Sequence, residues 1–489
     1  MMPRLRLAHS PHRSSGWPAS PPTTGREAPL YRGREPYRRI CVLSDADLLD
    51  GGDPSAWGRQ QLLAGLLSIE LVRCVRYADG GPPPEVPREE HPVGQVVPGW
   101  AVVRDGVAVT VEGRASSLSS LEGNYQDVAE ADTNTVAYRY IDPEAAAARR
   151  RADGLATRVA EAIGADAFIT AREYLHASHW GLADGVTILN IPESLAALGL
   201  YLRSQGQYVL RRFPDSADSI VTDRTTFYRL GSWAVLPAAW RWLRATARYA
   251  DGSGDGRPLA LVNTIVRRMA RALSVRDEVH LALNSPPDGD SSEEALSAFD
   301  EALVLLMAAL DVSALVSRAV LGTSTNAQNA KWQLSSWLDE VRLLAPNLAA
   351  VFSSGTRARW CLTLLRLLRN LVHDEALTAV SVGSVLRVER TVVKVPSALE
   401  ADLRGALAAL GGFQQWGAEV LIRGELHFDP GALLERLVSE VIVLLNAVMD
   451  KTPVERLAQL QQQDSEPPHQ PNGLFDERHL ESVRWQLGL

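Results

Sequence analysis

The chain changes its hydrophobic periodicity near its middle, and this change limits the folds that it can adopt. Between residues 38 and 210, short apolar runs alternate with longer stretches that carry apolar residues at helical spacing. After residue 290, most of the chain follows the helical spacing. Strands that alternate with helices are typical of a parallel α/β sheet. We therefore expect an α/β N-terminal domain with a small parallel sheet, followed by a mainly α-helical C-terminal bundle.

The N-terminal pattern predicts individual elements. Strands are predicted at Ile40–Leu43, Ala167–Thr170 and 185–191, and helices at Trp57–Arg76, Ala145–Ile163 and Pro192–Leu210. Residues 102–111 predict a hairpin, because Asp105-Gly106 is a favoured two-residue turn.

The C-terminal pattern predicts five helices with a small β excursion between them. The helices are predicted at Glu294–Leu321, Asn329–Leu344, Thr356–Leu377, Ala398–Leu410 and Gly431–Met449. The alternating stretches Ala379–Val395 and Glu419–Phe428 predict the strands.

These patterns divide the chain into five parts. We predict a disordered tail over 1–36, an α/β domain over 37–214, a helical linker region over 215–289, a helical domain over 290–455 and a flexible tail over 456–489. Both tails are rich in polar residues and proline, which cannot bury enough surface to offset the entropy of ordering.

Charge and cysteine content exclude several classes of protein. A net charge of −8 argues against a protein that coats nucleic acid or an anionic membrane by bulk electrostatics. Cys41, Cys74 and Cys361 lie far apart and are odd in number, so they predict neither a disulfide framework nor a zinc site. With no secretory signal and no apolar run of membrane length, we expect a cytoplasmic protein that does not contact the membrane.

One predicted helix carries a polar stripe on an otherwise apolar segment. Thr363, Arg366, Asn370 and His373 follow one another at steps of three, four and three, and Arg369 lies beside them. These steps place the side chains on one face of a helix. Arginine provides paired donors to phosphate oxygens, and histidine transfers protons near neutral pH. The stripe fits a metal-free phosphodiester site, and it also fits the solvated face of an amphipathic helix or a hydrogen-bonded polar seam in a helical bundle.

The run RLLRNLVHDEAL, residues 366–377, resembles the signature helix of HEPN-type proteins. The segment EALVLLMAALDVSALVSRAVLG, with Asp311 inside it, is similar to the long first helix of that family, and the resemblance covers residues 290–450. It implies a metal-independent ribonuclease site, often formed by two helices in a dimer. It also implies His373 as general acid or base and Asn370 as the orienting residue. Arg366 leaves six residues before His373, which fits the family spacing, whereas Arg369 leaves only three and is assigned as a helper.

Acidic residues lie at the ends of the predicted N-terminal strands. Asp45 follows the first strand and Asp166 opens the second. If such residues gather at one sheet edge, their oxygens could bind Mg²⁺ or Mn²⁺, but aspartate is also common at strand ends because it hydrogen-bonds nearby backbone.

The runs VLSDADLL, AEAIGADAFITAREYL and GVTILNIPESL resemble the opening and closing strands of PIN-like nuclease domains. The resemblance implies metal ligands at Asp45 and Asp166. PIN-like domains carry a further metal-binding acid just after the closing strand, and that position falls near Arg172 and Glu173 in this chain. Arg172 would repel a metal, so Glu173 is the substitute, and the fold is better supported than the metal site.

Two functions of the whole protein remain open on this sequence, and a third possibility is that only the N-terminal domain works, as a metal-dependent nuclease. The first is an RNA-cleaving or RNA-binding protein of a defence or toxin type, acting as a homodimer and without a metal or nucleotide cofactor at the helical site. The second is a noncatalytic protein that dimerises or binds a partner, in which both nuclease-like domains are degenerate. No phosphate-binding glycine loop, nucleophile elbow or HExxH helix supports other hydrolase classes.

Overall fold

The computed structural model describes residues 39–48, 57–81, 99–104, 108–111, 114–117, 142–177, 186–211, 219–285, 289–374, 377–384, 387–421, 424–458 and 477–489. Some side chains within these ranges, among them those of His373 and Asp374, also lie outside the described part. The predicted tail 1–36 and the turn residues Asp105-Gly106 lie outside it as well. The chain divides into two compact units, one that ends at Gln205 and one that runs from Gly206 to Leu489.

The N-terminal unit is built on a parallel sheet. Its strands are β1 (Ile40–Asp45), β2 (Val72–Tyr77), β3 (Gly99–Trp100), β4 (Val102–Arg104), β5 (Ala108–Val111), β6 (Arg114–Ser117), β7 (Ala167–Ile169) and β8 (Thr187–Leu189). Five of these strands pair in parallel, in the order β3-β2-β1-β7-β8. The central strand β1 buries Ile40, Val42 and Leu43 completely. The predicted α/β class is confirmed, and β4 and β5 form the predicted antiparallel hairpin.

The helices of this unit follow local capping signals. They are α1 (Trp57–Leu67), α2 (Pro143–Ala162), α3 (Glu173–Ala177) and α4 (Ile191–Ser204). Helix α4 begins at a capping box, in which the side chains of Asn190 and Glu193 each accept a hydrogen bond from the other's backbone N–H. Helix α1 is shorter than the predicted Trp57–Arg76. Its predicted last turns belong instead to β2, because Val72–Tyr77 pairs with the central strand.

The C-terminal unit is mainly helical, as predicted. Its helices are α5 (Arg224–Val235), α6 (Ala239–Ser253), α7 (Arg257–Asn284), α8 (Gly289–Leu321), α9 (Ser335–Leu344), α10 (Pro346–Val351), α11 (Arg357–Asp374), α12 (Ser397–Ala409), α13 (Pro430–Lys451), α14 (Glu455–Ala458) and α15 (Glu477–Gln486). Its strands are β9 (Tyr208–Arg211), β10 (Ser219–Thr222), β11 (Thr378–Ser384), β12 (Arg387–Lys394), β13 (Ala418–Val420) and β14 (Leu426–Phe428). The predicted β excursion is a four-stranded antiparallel sheet in the order β11-β12-β14-β13.

One continuous apolar core joins the helices of this unit. Residues 215–289, predicted as a linker region, contribute α5, α6 and α7 to this core. Helix α8 is the one described helix that is long and apolar enough to cross a membrane, and 61% of its apolar window is buried inside the protein. Such burial is typical of a core helix of a soluble protein, so α8 is weak evidence for a membrane span.

The segment 456–489, predicted as a flexible tail, contains the helix α15. Val483 in this helix and Leu487 just beyond it are fully buried, and both approach Gly231 of α5. A β-carbon placed on Gly231 would lie 2.7 Å from Cδ1 of Leu487. The glycine therefore permits the close approach of α15 to α5.

Candidate functional site

Helix α11 buries its leucines and exposes a polar face. Leu364 and Leu365 are fully buried, whereas Arg366 and Asn370 are exposed. Thr363 is half-buried, and its hydroxyl donates to the Arg359 carbonyl oxygen at 2.9 Å. Arg366 and Asn370 are four residues apart, so they lie on one face of the helix. Neither side chain forms a hydrogen bond or ion pair with another described residue, and both side chains are exposed.

Arg369 lies beside this face, and its charge acts on a half-buried acid. It is half-buried and contributes a positive charge near Asp311 of α8. Lys331 and Arg268 contribute positive charge to the same carboxyl group, and the side chain of Gln333 hydrogen-bonds to it. Burial raises the pKa of Asp311, and these neighbours lower it only in part.

Several cations act on Asp311. Lys331, Arg369 and Arg268 each lower the pKa of this one carboxyl group, and the exposed Arg366 lies one turn before Arg369 on α11. We call Arg268, Lys331, Arg366, Arg369 and Asp311 the basic cluster. Four of these five residues are cations, whereas the whole chain has a net charge of −8, so bulk charge does not reveal this local grouping.

His373 occupies the backbone position expected of the third member of the stripe. It lies within α11, three residues after Asn370 and seven after Arg366, which places its backbone on the same face of the helix. Its side chain lies outside the described residues, as do the side chain of Asp374 and the whole of Glu375. The roles predicted for His373 therefore stay predictions.

Two other arginines of α11 serve the fold. Arg357 forms an ion pair with Glu440 of α13, with 2.7 Å between Nη2 and Oε1, and also donates to the Leu410 carbonyl oxygen. Arg359 donates to the Trp332 carbonyl oxygen at 3.1 Å. These bonds anchor the start of α11 and distinguish Arg357 and Arg359 from the exposed Arg366.

At the N-terminal sheet, Asp45 binds an arginine. Its Oδ2 accepts a hydrogen bond from Nε of Arg172 at 3.0 Å, and its Oδ1 accepts one from Nη2 at 3.1 Å. The hydroxyl of Thr170 also donates to Oδ2. Asp45 was predicted to be a metal ligand, but both of its carboxylate oxygens accept hydrogen bonds from protein groups.

Asp166 lies at the amino end of the parallel strands, whereas Asp45 lies at their carboxyl end. In the parallel pairing of β1 and β7, Val42 pairs with Ala167 and Ser44 with Ile169. Asp166 is thus level with Cys41, four residues before Asp45, which corresponds to about 13 Å along a strand. Its carboxylate is buried and accepts a hydrogen bond from the Cys41 backbone N–H at 2.9 Å. The sequence places Asp166 at the start of a strand and Asp45 at the end of one, so parallel pairing separates them.

Glu173 completes the predicted metal set, and it is exposed at the first position of α3. Asp45, Asp166 and Glu173 are not brought together, and the residues present do not fit Mg²⁺ or Mn²⁺. Among the residues that the structure describes, no group of three or more histidine, cysteine, aspartate or glutamate residues could hold a metal ion.

The sequence also did not reveal a buried ionic network in the helical unit. Arg276 and His280 of α7 both contact Glu435 of α13, with 3.3 Å from Arg276 Nε and 2.6 Å from His280 Nε2 to Oε1. Burial raises the pKa of Glu435, but the charge of Arg276 and the hydrogen bond with His280 outweigh it and lower the pKa. Arg276 also donates to the Leu487 carbonyl oxygen. The network joins α7, α13 and the C-terminal residues, which is a structural role.

Comparison of the chain with protein-family models, with curated proteins and with solved structures finds no match. The resemblances to HEPN-type and PIN-like domains therefore stay predictions that rest on the quoted sequence motifs.

Proposed function

We propose that this protein binds RNA on the polar face of α11 and cleaves it there without a metal ion. The observation that supports the proposal is the exposed pair Arg366 and Asn370 next to the half-buried Arg369 and its positively charged surroundings. In a chain with a net charge of −8, a group of arginine and lysine residues beside an exposed arginine favours a phosphate ligand.

The proposed chemistry uses the 2′-hydroxyl of the RNA as the nucleophile. Its oxygen attacks the adjacent phosphorus, the bond from phosphorus to the 5′ oxygen breaks, and the products are a 2′,3′-cyclic phosphate and a 5′-hydroxyl. His373 removes the proton of the 2′-hydroxyl or supplies one to the leaving 5′ oxygen, and water takes part in the other proton transfer, so that one proton is lost and one gained. Arg366, helped by Arg369, stabilises the charge that develops on the phosphate, and Asn370 orients the reacting groups.

We further propose that the protein is cytoplasmic, that it acts as a homodimer and that it has a defence or toxin role. The three cysteines support the location, because all three are buried thiols that form no disulfide, as is usual in a reducing compartment. The dimer rests on the HEPN-type resemblance, in which two such helices meet.

A second candidate function is a noncatalytic interaction or dimerisation protein. The observation that favours it is in the N-terminal unit, where Arg172 occupies both oxygens of Asp45. Under this second function the N-terminal unit is a degenerate nuclease-like domain, and the helical domain only dimerises or binds a partner.

Cleavage of labelled RNA in EDTA tests the proposal. We expect the wild-type protein to cut a single-stranded RNA and to leave the all-2′-deoxy strand of the same sequence intact. His373→Ala should lower the rate by about 10²–10⁴-fold, the usual contribution of a general acid or base. Arg248→Ala is the matched control, because Arg248 is an exposed arginine on α6.

Three results would decide against the proposal. A His373→Ala protein that cuts as fast as the wild type would place the chemistry elsewhere. Cleavage of the deoxy strand would exclude attack by the 2′-hydroxyl. Tight RNA binding without cleavage would favour the noncatalytic function.

A further inference from the structure

Helix α7 carries a row of arginines on its first half. Between residues 257 and 276 this helix has five arginines and no acidic residue, in a chain with 58 acidic residues against 50 lysines and arginines. The exposed residues over 257–271, all of which the structure describes, are Arg257, Ala260, Arg267 and Arg271, and Arg268 is half-buried beside them. We call Arg257, Arg267, Arg268 and Arg271 the arginine row.

The arginine row lies on one face of α7. Arg267 and Arg271 are four residues apart, and Arg257 precedes Arg268 by eleven residues, which is about three helical turns. At 1.5 Å per residue, the row extends over about 21 Å from Arg257 to Arg271. A row of this length suits an extended polyanion better than a single small anion.

Arg268 connects the arginine row to the basic cluster. Its Nη1 donates to the Ala308 carbonyl oxygen of α8 at 2.6 Å, and its charge acts on Asp311, one turn further along α8. The charge of Arg369 of α11 acts on the same carboxyl group. The arginine row and the polar face of α11 therefore border the same stretch of α8.

The exposed arginines of the row are available to a ligand. The side chains of Arg257 and Arg267 form no hydrogen bond or ion pair with another described residue. Nη2 of Arg271 lies 2.6 Å from Oε1 of Glu301, but these two side chains are 68% and 38% exposed. Water and salt screen exposed ion pairs, which contribute little to stability, so a phosphate can replace Glu301 at Arg271.

The composition of this face favours a phosphate backbone over a membrane surface. Arginine donates paired hydrogen bonds to phosphate oxygens. A helix that lies on a membrane combines its basic face with exposed tryptophan, phenylalanine or leucine side chains. Over 257–271 the exposed residue other than arginine is Ala260, which offers no such anchor.

We propose that the arginine row binds phosphates of the RNA strand beyond the bond that is cut at α11. The inference rests on the proposed function for the identity of the ligand, and it adds a second contact surface on α7. Phosphate contacts fix the position of a strand but carry no sequence information. The row therefore selects a long strand over a short oligonucleotide and prefers no particular sequence.

The salt dependence of strand binding to the full-length protein tests the inference. The probe is a labelled all-2′-deoxy strand of about 16 nucleotides, the upper end of the usual range of site sizes. It offers the same phosphates as RNA and has no 2′-hydroxyl for the proposed cleavage. We expect Arg267→Ala/Arg271→Ala to reduce the slope of log affinity against log salt by about 1.4, since each phosphate contact on a single strand contributes about 0.7.

Arg342→Ala is the matched control and should leave the slope unchanged. Arg342 of α9 is 61% exposed and pairs with the exposed Asp339, as Arg271 pairs with Glu301. The single variant Arg267→Ala, which breaks no described ion pair, should reduce the slope by about 0.7. Both row variants should melt at the wild-type temperature, because the substituted residues are exposed.

A double variant that keeps the wild-type slope would overturn the inference. If Arg366→Ala lowers the slope in the same experiment, α11 binds the strand without α7 and the proposed function still stands. A slope lowered in the double variant but not in Arg366→Ala would support the arginine row and count against the site on α11.

Two further results would overturn the inference. The first is a wild-type protein that does not bind the strand, in which case the RNA cleavage assay in EDTA decides separately on the proposed function. The second is binding of the wild type to phosphatidylserine vesicles that the double variant loses while its strand binding is unchanged, which would assign the arginine row to a membrane surface.

Discussion

Arg366 is the residue that reports most directly on phosphate binding. It is exposed, and its loss removes no bond to another described residue. Each phosphate contact on a single strand contributes about 0.7 to the slope of log affinity against log salt. We therefore expect Arg366→Ala to weaken RNA binding and to reduce that slope by about 0.7, as measured by fluorescence anisotropy at several salt concentrations.

The melting temperature of Arg366→Ala should remain that of the wild type, because substitution of an exposed residue usually changes stability by no more than about 0.5 kcal/mol. Arg248→Ala should leave both the slope and the melting temperature unchanged. An unchanged salt slope in Arg366→Ala would show that this arginine contacts no phosphate.

Asp311 predicts a pH dependence of stability whose sign follows from its raised pKa. Its unfolded-state pKa is near 3.8, and burial raises the pKa in the folded protein. The carboxyl group therefore contributes most to stability when protonated, and that contribution is lost as the pH rises from about 3.8 through the raised pKa. Asn does not titrate. We expect Asp311→Asn to melt at a higher temperature than the wild type at pH 7, with a difference that shrinks on acidification towards pH 3.8.

Calorimetry from pH 3.5 to 7 measures this difference. A lower melting temperature of Asp311→Asn at pH 7 would mean that Lys331, Arg369 and Arg268 more than offset the cost of burying the charge.

At the scale of single residues, the sequence predicts which side chains share a helix face better than it predicts contacts between residues far apart in the chain. The exposed face with Arg366 and Asn370 follows from helical spacing alone. Arg268 and Lys331, which surround Asp311, belong to other elements, so no local pattern indicated them. The sequence indicated that Arg172 would repel a metal. It did not indicate the hydrogen bonds from Arg172 to Asp79 and Asp153, because these residues lie 93 and 19 positions away along the chain.

Among the secondary-structure elements, the sequence predicted types more reliably than ends. The overlong α1 has a physical cause, because Leu62–Val72 is apolar at spacings that suit a helix, whereas Val72–Tyr77 gains its hydrogen bonds from β1. The same applies to Tyr208–Leu210, predicted as helix and found in β9, which pairs with β10. Strand pairing is decided by distant residues, which a local pattern does not contain.

The C-terminal helix α15 is an integral part of the helical unit. Leu487, one residue beyond its end, is fully buried against α5, and its carbonyl oxygen accepts a hydrogen bond from Arg276. Truncation of a buried leucine leaves a cavity and usually costs about 2–5 kcal/mol. We expect Leu487→Ala to lower the free energy of unfolding by that amount, as measured by urea denaturation.

Leu343→Ala is the control for this prediction, because Leu343 on α9 is 85% exposed and should tolerate the change. Equal stability of the two variants would mean that α15 does not pack on α5 in solution.

At the scale of the whole molecule, the sequence predicted the fold class, but it did not predict which residues come together in space. Alternating strands and helices predicted the parallel sheet, and continuous helical spacing predicted the bundle. Asp45 and Asp166 were expected at one sheet edge, yet the pairing of β1 with β7 puts them at opposite edges. The central claim is therefore that the RNA chemistry belongs to α11 and that the acidic residues of the N-terminal sheet take no part in it.

The most direct test of this claim compares the RNA cleavage rates of Asp45→Asn and His373→Ala with that of the wild type, each in Mg²⁺ and again in EDTA, with all three proteins shown to be folded by circular dichroism. We predict that Asp45→Asn cuts RNA at the wild-type rate and that His373→Ala has lost its activity. Loss of activity in Asp45→Asn, with activity retained in His373→Ala, would contradict the claim and assign the chemistry to the N-terminal unit.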